Sequence, residues 1–268
     1  MPYIYETHLH TSQVSGCADT PGKAYISRYI DEGFAGVIVT DHFIHGENCL
    51  VPKNLPWAER VHRFCEGFED ARNEGAKRNF SVFFGWEEHF DGDEYLIYGL
   101  DEAWMIEHPE MEHWTRAEQY RQVHQAGGCV IQAHPFRARD YISRIHLSSV
   151  CVDGIEGVNT ANAPLWNTLA LRYAQILGLP VTAGSDNHHI ATMSRDNLAG
   201  VIFDQPLSSI QDFVSAVREK QSFGIHVPCD VPPWSSNILP DRPTGLFGSE
   251  DQLLTEDISH FLRNGSIR

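Results

Sequence analysis

The stretch Glu6-Thr7-His8-Leu9-His10-Thr11 follows a mostly apolar segment, residues 2–5, close to the start of the chain. In a β-strand, side chains two residues apart point to the same face of the sheet, so His8 and His10 can contact one metal ion together. A histidine pair of this kind also occurs by chance. Later strand-like segments that end in His, Glu or Asp favour the metal-binding interpretation.

The composition is that of a folded protein with an unusual histidine content. Hydrophobic residues make up 42% of the 268 residues, enough for a large core in one barrel-sized domain or two smaller ones. The chain has 15 histidines but only four lysines, and imidazole is the commonest metal ligand in proteins. The placement of the histidines is therefore informative.

Charge and sequence patterns exclude several classes of protein. The net charge of −16 opposes an extended nucleic-acid surface, because such a surface repels polyanions. Neither a signal peptide nor an apolar run long enough to span a membrane is present, which predicts a cytoplasmic protein. The six cysteines are scattered without a Cys-x-x-Cys motif, and this predicts neither a disulfide framework nor a zinc knuckle.

Strand-like and helix-like segments alternate along most of the chain. Residues 35–40 form a continuous apolar run of strand length, typical of a parallel strand that is covered on both faces. Further strands are predicted at 80–84, 94–99, 129–133, 154–158, 180–183 and 199–203. Helices are predicted at 21–32, 57–77, 115–127, 165–177 and 209–220. This alternation predicts an α/β fold with a largely parallel sheet.

Polar clusters follow several of these strands, which favours a closed barrel over an open sheet with a single crevice. We expect residues 1–227 to form the barrel. The proline-rich remainder, residues 228–268, is predicted to be an irregular extension packed on the barrel, with a terminal helix over 250–262.

Seven residues that could bind metal lie at predicted strand ends and combine imidazole with carboxylate groups. They are His8, His10, His42, Glu87, His134, Asp186 and His188. Such a mixture suits Zn²⁺, Mn²⁺ or Fe²⁺ ions held close together, with a carboxylate able to bridge two of them.

The order of the motifs resembles that of the polymerase and histidinol phosphatase (PHP) domain family. His-x-His-Thr, Thr-Asp-His, Gly-x-Glu, Ala-His-Pro and Ser-Asp-x-His follow one another between residues 3 and 189. The resemblance implies a distorted (β/α)7 TIM-like barrel of PHP type. It also implies two or three divalent metal ions and the hydrolysis of phosphoesters.

The resemblance also implies a distribution of the metal ligands. His8, His10, Glu87 and Asp186 would surround a first ion, and Glu87 would bridge to a second ion that His134 shares. His42 and His188 would hold a third.

Two positions depart from the family's pattern. Cys17 stands where the family's remaining third-site ligand is usually Asp or His, with Asp19 close by, and a thiolate would favour zinc or iron over magnesium. The strand after Gly-x-Glu lacks the histidine of many members, and Asp101 or His108 could substitute for it.

These features predict a metal-dependent phosphoesterase that acts on a small phosphorylated molecule through a metal-activated hydroxide. Nucleotides, histidinol phosphate and sugar phosphates are all candidate substrates. Asp41 or His189 could protonate the leaving group. Arg137 could contact two phosphate oxygens, and Arg195 lies on a loop at the same predicted face.

Other interpretations remain open. Glu156 and Asn159 could contact the substrate or form a buried hydrogen bond. An amidohydrolase-type barrel that cleaves C–N bonds also begins with His-x-His, but its binuclear members usually bridge the ions with a carboxylated lysine, and all four lysines here fall on predicted helices or loops. A metal-binding PHP domain without catalytic activity is the third possibility.

Overall fold

The fold, taken from a computed structural model that describes residues 2–44 and 46–267, is mixed α/β. The described strands are β1 Tyr3–Leu9, β2 Gly36–Val39, β3 Ser81–Phe90, β4 Asp93–Tyr98, β5 Cys129–Ala133, β6 Ile145–Ser148, β7 Gly154–Asn159, β8 Val181–Gly184, β9 Gly200–Phe203, β10 Gly224–His226, β11 Thr244–Phe247 and β12 Leu253–Thr255. The described α-helices are α1 Gly22–Asp31, α2 Trp57–Phe64, α3 Glu66–Lys77, α4 Glu102–Glu107, α5 Arg116–Gln125, α6 Pro164–Leu177, α7 Ile210–Arg218 and α8 Ile258–Asn264.

The main sheet has nine strands in the order β10-β9-β1-β2-β3-β4-β5-β7-β8. It curves until the end of β8 returns to β1, where Leu9 and Asn187 form a bridge and the Thr7 hydroxyl donates to the carbonyl of Ala183. Seven strands, from β1 through β8 with β6 left out, therefore enclose a nearly closed barrel. The predicted distorted barrel is confirmed in this form.

The sheet is not wholly parallel. Strand β4 runs antiparallel to both β3 and β5, because β3 continues to Phe90 and turns back at once through Asp91 and Gly92. Strands β3 and β4 therefore form a hairpin. Its register pairs Glu87 with Leu96 and His89 with Glu94, which places Glu94 on the same face of the sheet as Glu87.

Two predicted helices differ in the structure. The helix expected over residues 57–77 is broken at Cys65 into α2 and α3. The terminal helix expected over 250–262 is reduced to α8, because residues 253–255 pair with β11 as strand β12 and the Asp257 side chain caps the helix at the amide of His260.

The C-terminal residues pack on the barrel through a second, three-stranded sheet. Strand β11 pairs in parallel with β6, so Thr244 lies opposite Ile145, and α8 contacts α6. Within the described chain, residues 228–243 contain neither helix nor strand.

The close contact between helix α3 and the Thr11–Asp41 pair depends on glycine. Gly67, in the first turn of α3, lies directly against the Thr11 side chain, where a Cβ would overlap Oγ1 and come within 2.9 Å of Asp41 Oδ2. On α1, Gly22 meets the backbone of Gly67 in the same way. Helix α3 therefore packs at this distance because both positions lack a side chain.

We predict that Gly67→Ala destabilises the protein by about 1–3 kcal/mol, the usual cost of overpacking. Alanine has the higher helix propensity, so local preference alone would predict the opposite sign. The matched control is Gly224→Ala, whose new Cβ would approach no atom closer than 3.3 Å. Denaturant unfolding measures both; equal stabilities for the two variants would contradict the packing argument.

Candidate metal centre

The predicted metal ligands lie together at the carboxyl ends of the barrel strands. His8 lies on β1 and His10 directly follows it, His42 follows β2, Glu87 lies on β3, His134 follows β5, and Asp186 and His188 follow β8. Four overlapping groups of three have potential ligand atoms within 4.8 Å of one another. The groups are His8-His10-Glu87, His8-His134-Asp186, His10-His42-His188 and His42-Glu87-Glu94.

Glu87 occupies the centre of this cluster. Its Oε1 lies 3.1 Å from Nε2 of both His8 and His134. Its Oε2 lies 2.9 Å from His42 Nδ1 and 3.4 Å from His10 Nε2. Burial raises the pKa of this carboxyl group, but His8, His134 and His42 outweigh the burial and hold the pKa well below its usual value. Glu87 is therefore an ionised carboxylate among imidazoles.

A second carboxylate faces the two histidines of β1. Asp186 Oδ1 lies 3.3 Å from His10 Nε2 and 3.5 Å from His8 Nε2. Burial also raises the pKa of Asp186, and His8, His10 and Arg137 together lower it well below the usual value. Its backbone φ of 53° lies in the left-handed region, as does the φ of 25° at His134. Both ligands thus sit at strained strand ends, a common feature of functional sites.

Buried hydrogen bonds fix which nitrogen of each β1 histidine faces the centre. His8 Nδ1 donates to Glu156 Oε1 at 2.9 Å, which leaves Nε2 directed inward. The Ser15 hydroxyl donates its only proton to Asp41, so at 3.2 Å it can only accept from His10 Nδ1. Both Nε2 atoms are then available to bind a metal ion, since metal-binding histidines commonly have such a second hydrogen-bond partner.

The donor set fits divalent cations. His8 Nε2 and His10 Nε2 lie 3.1 Å apart, and in the neutral tautomers set as above neither carries a proton for the other. Burial lowers the pKa of His8, but Glu156, Asp186 and Glu87 outweigh the burial and raise the pKa well above its usual value, so this ring favours a bound positive charge, whether a proton or a metal ion. Glu87 Oε2 is buried and makes no hydrogen bond of acceptable geometry to any described residue. Converging lone pairs and a buried, unsatisfied carboxylate oxygen are costly unless a cation lies among them. Imidazole with carboxylate is a ligand set for zinc and related transition metals.

Glu94 is a candidate ligand that the sequence analysis missed. Its Oε2 lies 3.4 Å from His134 Nε2, and it shares a group with Glu87 and His42. The two substitutes considered for this position do not reach the cluster: Asp101 caps α4, and His108 stacks on Trp104. The signal for Glu94 is the register of the β3–β4 hairpin, which puts Glu94 on the face of Glu87.

Cys17 lies at the exposed rim of the group formed by His10, His42 and His188. Partial burial raises the pKa of its thiol, but hydrogen bonds to His188 and His42 outweigh this effect and lower the pKa to about 6. Asp19 points elsewhere and pairs with His189 at 3.1 Å. Of Cys17 and Asp19, the geometry therefore favours Cys17 as the candidate ligand beside His42 and His188.

The proposed catalytic and substrate-binding residues have different environments. Asp41 is 2% exposed, and both of its oxygens accept hydrogen bonds from Thr11 or Ser15, so it supports the site from beneath and cannot reach a substrate. His189 is 46% exposed. Glu156 and Asn159 hydrogen-bond each other in the interior at 3.1 Å. Of the two roles considered for them, contact with substrate or a buried hydrogen bond, the structure shows the buried hydrogen bond.

Two hollows flank the cluster. One, of about 400 Å³, is lined by Arg137, Cys17 and His189, and the other, of about 510 Å³, by Tyr141, His89 and Glu94. Arg137 Nη1 lies 3.5 Å from both Asp186 and Glu94, so its charge reaches the cluster. Arg195 is exposed in a short 3-10 turn and is not among the described residues that line either hollow, although Thr192 and Asn197 of the same segment line the first.

No described helix has the length and apolar character needed to span a membrane.

No curated protein sequence matches the chain. Two solved structures are similar in fold. A candidate metal-dependent phosphoesterase from Bifidobacterium adolescentis has 13% identity, a TM-score of 0.49, and covers 80% of this chain and 96% of its own. An amidohydrolase from Chromobacterium violaceum, solved with sulfate and no metal, has 15% identity, a TM-score of 0.49, and covers 84% and 98%.

The fold and site define an α/β barrel with a buried cluster of potential metal ligands at its strand ends. A sequence model described as PHP-associated matches residues 164–222, the segment that contains α6, β8, Asp186, His188 and α7. Over this segment the chain is therefore similar to PHP-associated sequences, in agreement with the resemblance of the ordered motifs.

We predict that Glu94→Gln lowers the amount of tightly bound metal by about one ion per molecule, because a neutral amide is a poor ligand for a hard or borderline cation. Elemental analysis of the dialysed protein measures the stoichiometry. Asp101→Asn is the matched control, since asparagine can also cap α4. A stoichiometry unchanged by Glu94→Gln would remove Glu94 from the ligand set.

Proposed function

We propose that this protein is a metal-dependent phosphoesterase that hydrolyses the phosphate ester of a small molecule. The observation that carries the proposal is the position of Glu87, whose two oxygens lie within 3.4 Å of ring nitrogens from four histidines. A carboxylate between ligand sets can bridge two ions, and paired ions are well suited to the displacement of a phosphoryl group. Two or three ions of zinc, manganese or iron fit the donors available.

The ligands divide among three positions in this proposal. His8, His10 and Asp186 hold the first ion with Glu87, and His134 and Glu94 join Glu87 at the second. His42, His188 and Cys17 hold the third. Ions in these positions would supply a nucleophile from water and neutralise charge on the phosphate.

Arg137 is the residue that we propose binds the phosphate. Its guanidinium lines the smaller hollow, where Nη1 lies 3.2 Å from His134 Nε2 and 3.5 Å from Asp186 Oδ2. A guanidinium with free donors matches two oxygens of a phosphate group, which orients the ester at the cluster.

His189 is the proposed proton donor to the leaving group. It lines the same hollow as Arg137, and its Nδ1 lies 3.1 Å from the carboxylate of Asp19. A carboxylate in this place orients the ring, so that Nε2 can deliver a proton to the departing oxygen. Asp41 is unavailable for this role because it is buried and fully hydrogen-bonded.

The site gives less support to the amidohydrolase alternative. Among the described residues, Lys23 pairs with Asp70, Lys77 with Glu74, and Lys220 with a carbonyl, all away from the cluster. Glu87 takes the central position that a carboxylated lysine would need. The open hollows next to Arg137 also favour an enzyme over a metal-binding domain without activity.

The test is phosphate release from a panel of nucleotides, sugar phosphates and histidinol phosphate. We expect the metal-loaded protein to hydrolyse one of these classes and the chelated protein to lose the activity. Glu87→Gln should reduce turnover to the uncatalysed background, because it removes the central charge among the ligands. Glu107→Gln, an exposed glutamate at the end of α4, is the control and should be fully active. Metal-loaded protein that hydrolyses none of these esters would contradict the proposal.

A separate prediction concerns the choice of metal. Cys17→Asp should weaken Zn²⁺ binding at the third position relative to Mn²⁺, because a carboxylate is a harder ligand than a thiolate. Competition between the two ions, followed by elemental analysis, measures the ratio. A ratio equal to that of the unmodified protein would show that Cys17 is not a ligand.

A further inference from the structure

The barrel closes at a seam between β1 and β8 that few backbone hydrogen bonds cross. In the part of the chain that the structure describes, one bridge joins these strands, between Leu9 and Asn187, with the amide of His10 donating to the carbonyl of Asn187 at 3.0 Å. The cluster depends on this seam, because His8 and His10 lie on one side of it and Asp186 and His188 on the other. Something other than a strand ladder must set their separation.

Glu6 supplies hydrogen bonds across the seam. It lies two residues before His8 on β1, at a register irregularity between Glu6 and Leu9, and is fully buried. Its Oε1 accepts from the amides of Thr7 at 3.0 Å, His8 at 2.9 Å and Ser185 at 2.9 Å. One oxygen atom therefore binds the backbone of a β1 ligand and the backbone of the residue just before Asp186.

The other oxygen of Glu6 reaches the same loop by a second route. Oε2 accepts from the hydroxyl of Tyr29 at 2.9 Å, and that hydroxyl accepts from the side-chain amide of Asn187 at 2.9 Å. Asn187 lies between Asp186 and His188. The Glu6 carboxylate is thus connected to both flanks of Asp186 while touching none of the proposed metal ligands' side chains.

We propose that Glu6 is a positioning residue that sets the separation of the β1 ligands from the β8 ligands across the seam of the barrel. The proposal rests on the metal-binding function proposed above. It concerns the ions that the two sides of the seam share. The position formed by Glu87, His134 and Glu94 belongs to β3, β4 and β5 and lies away from the seam.

The test compares Zn²⁺ affinity in Glu6→Asp and Tyr29→Phe with that of the unmodified protein, by competition with a chromophoric chelator at a temperature where circular dichroism shows each protein folded. Glu6→Asp keeps the charge but withdraws the carboxylate by about 1.5 Å, one carbon–carbon bond. We expect it to weaken the tightest Zn²⁺ binding by about 10- to 100-fold, as is usual for residues that orient ligands. Tyr29→Phe should weaken it in the same direction by less.

The control is Asp153→Asn. Asp153 is also a buried carboxylate, and it accepts from the amide of Val130 at 2.9 Å, at the start of β5 and away from the cluster. We expect this variant to lose stability and keep its Zn²⁺ affinity. That contrast separates positioning from a general loss of stability.

Unchanged Zn²⁺ affinity in folded Glu6→Asp, with a lowered melting temperature, would overturn the inference and leave Glu6 a structural residue. If Glu6→Asp does not fold, an unchanged affinity in Tyr29→Phe would overturn it instead. Failure of the unmodified protein to bind Zn²⁺, Mn²⁺ and Fe²⁺ alike would overturn the proposed function as well, so the two failures are distinguishable.

Discussion

The structure depends on a buried carboxylate, Glu87, that lies among four imidazoles inside a barrel. Burying a charge is costly unless it is paired. Among the described residues, Glu87 Oε1 makes a hydrogen bond with His134 Nε2, but Oε2 makes none of good geometry although His42 and His10 lie close to it. Cations bound among these groups would offset the free-energy cost of burying the carboxylate. The cluster is therefore best understood as a site built to hold metal, with its geometry imposed by the fold.

That geometry comes from several layers of support. The barrel brings strand ends from distant parts of the chain to one place, and the next layer of residues orients the ligands. Glu156 fixes the ring of His8, and Ser15, held by Asp41, fixes the ring of His10. Gly67 lets α3 approach the Thr11–Asp41 pair from below. Potential ligands displaced by even about 1 Å would no longer converge on a metal ion. This explains why so many buried polar groups orient them.

Much of this arrangement could be predicted from the sequence, because it follows from local patterns. The period of two in β1 puts His8 and His10 on one face, and the apolar runs that end in His42, His134 and Asp186 place those residues at strand ends. Glu94 was missed because its role depends on the register of a hairpin with Glu87, a contact between two strands. Asp41 was misjudged because its burial follows from the packing of Thr11 and Ser15 around it. Residues 253–255 were assigned to a helix because their pairing with β11 is not visible in local sequence.

The most direct test of the central claim is anomalous diffraction from crystals of the protein grown with Zn²⁺ or Mn²⁺ and measured on either side of the metal's absorption edge. The account predicts two or three anomalous peaks within the cluster, with one on each side of the Glu87 carboxylate. Metal at full occupancy elsewhere on the protein, with Glu87 and its neighbouring imidazoles free of any peak, would contradict it.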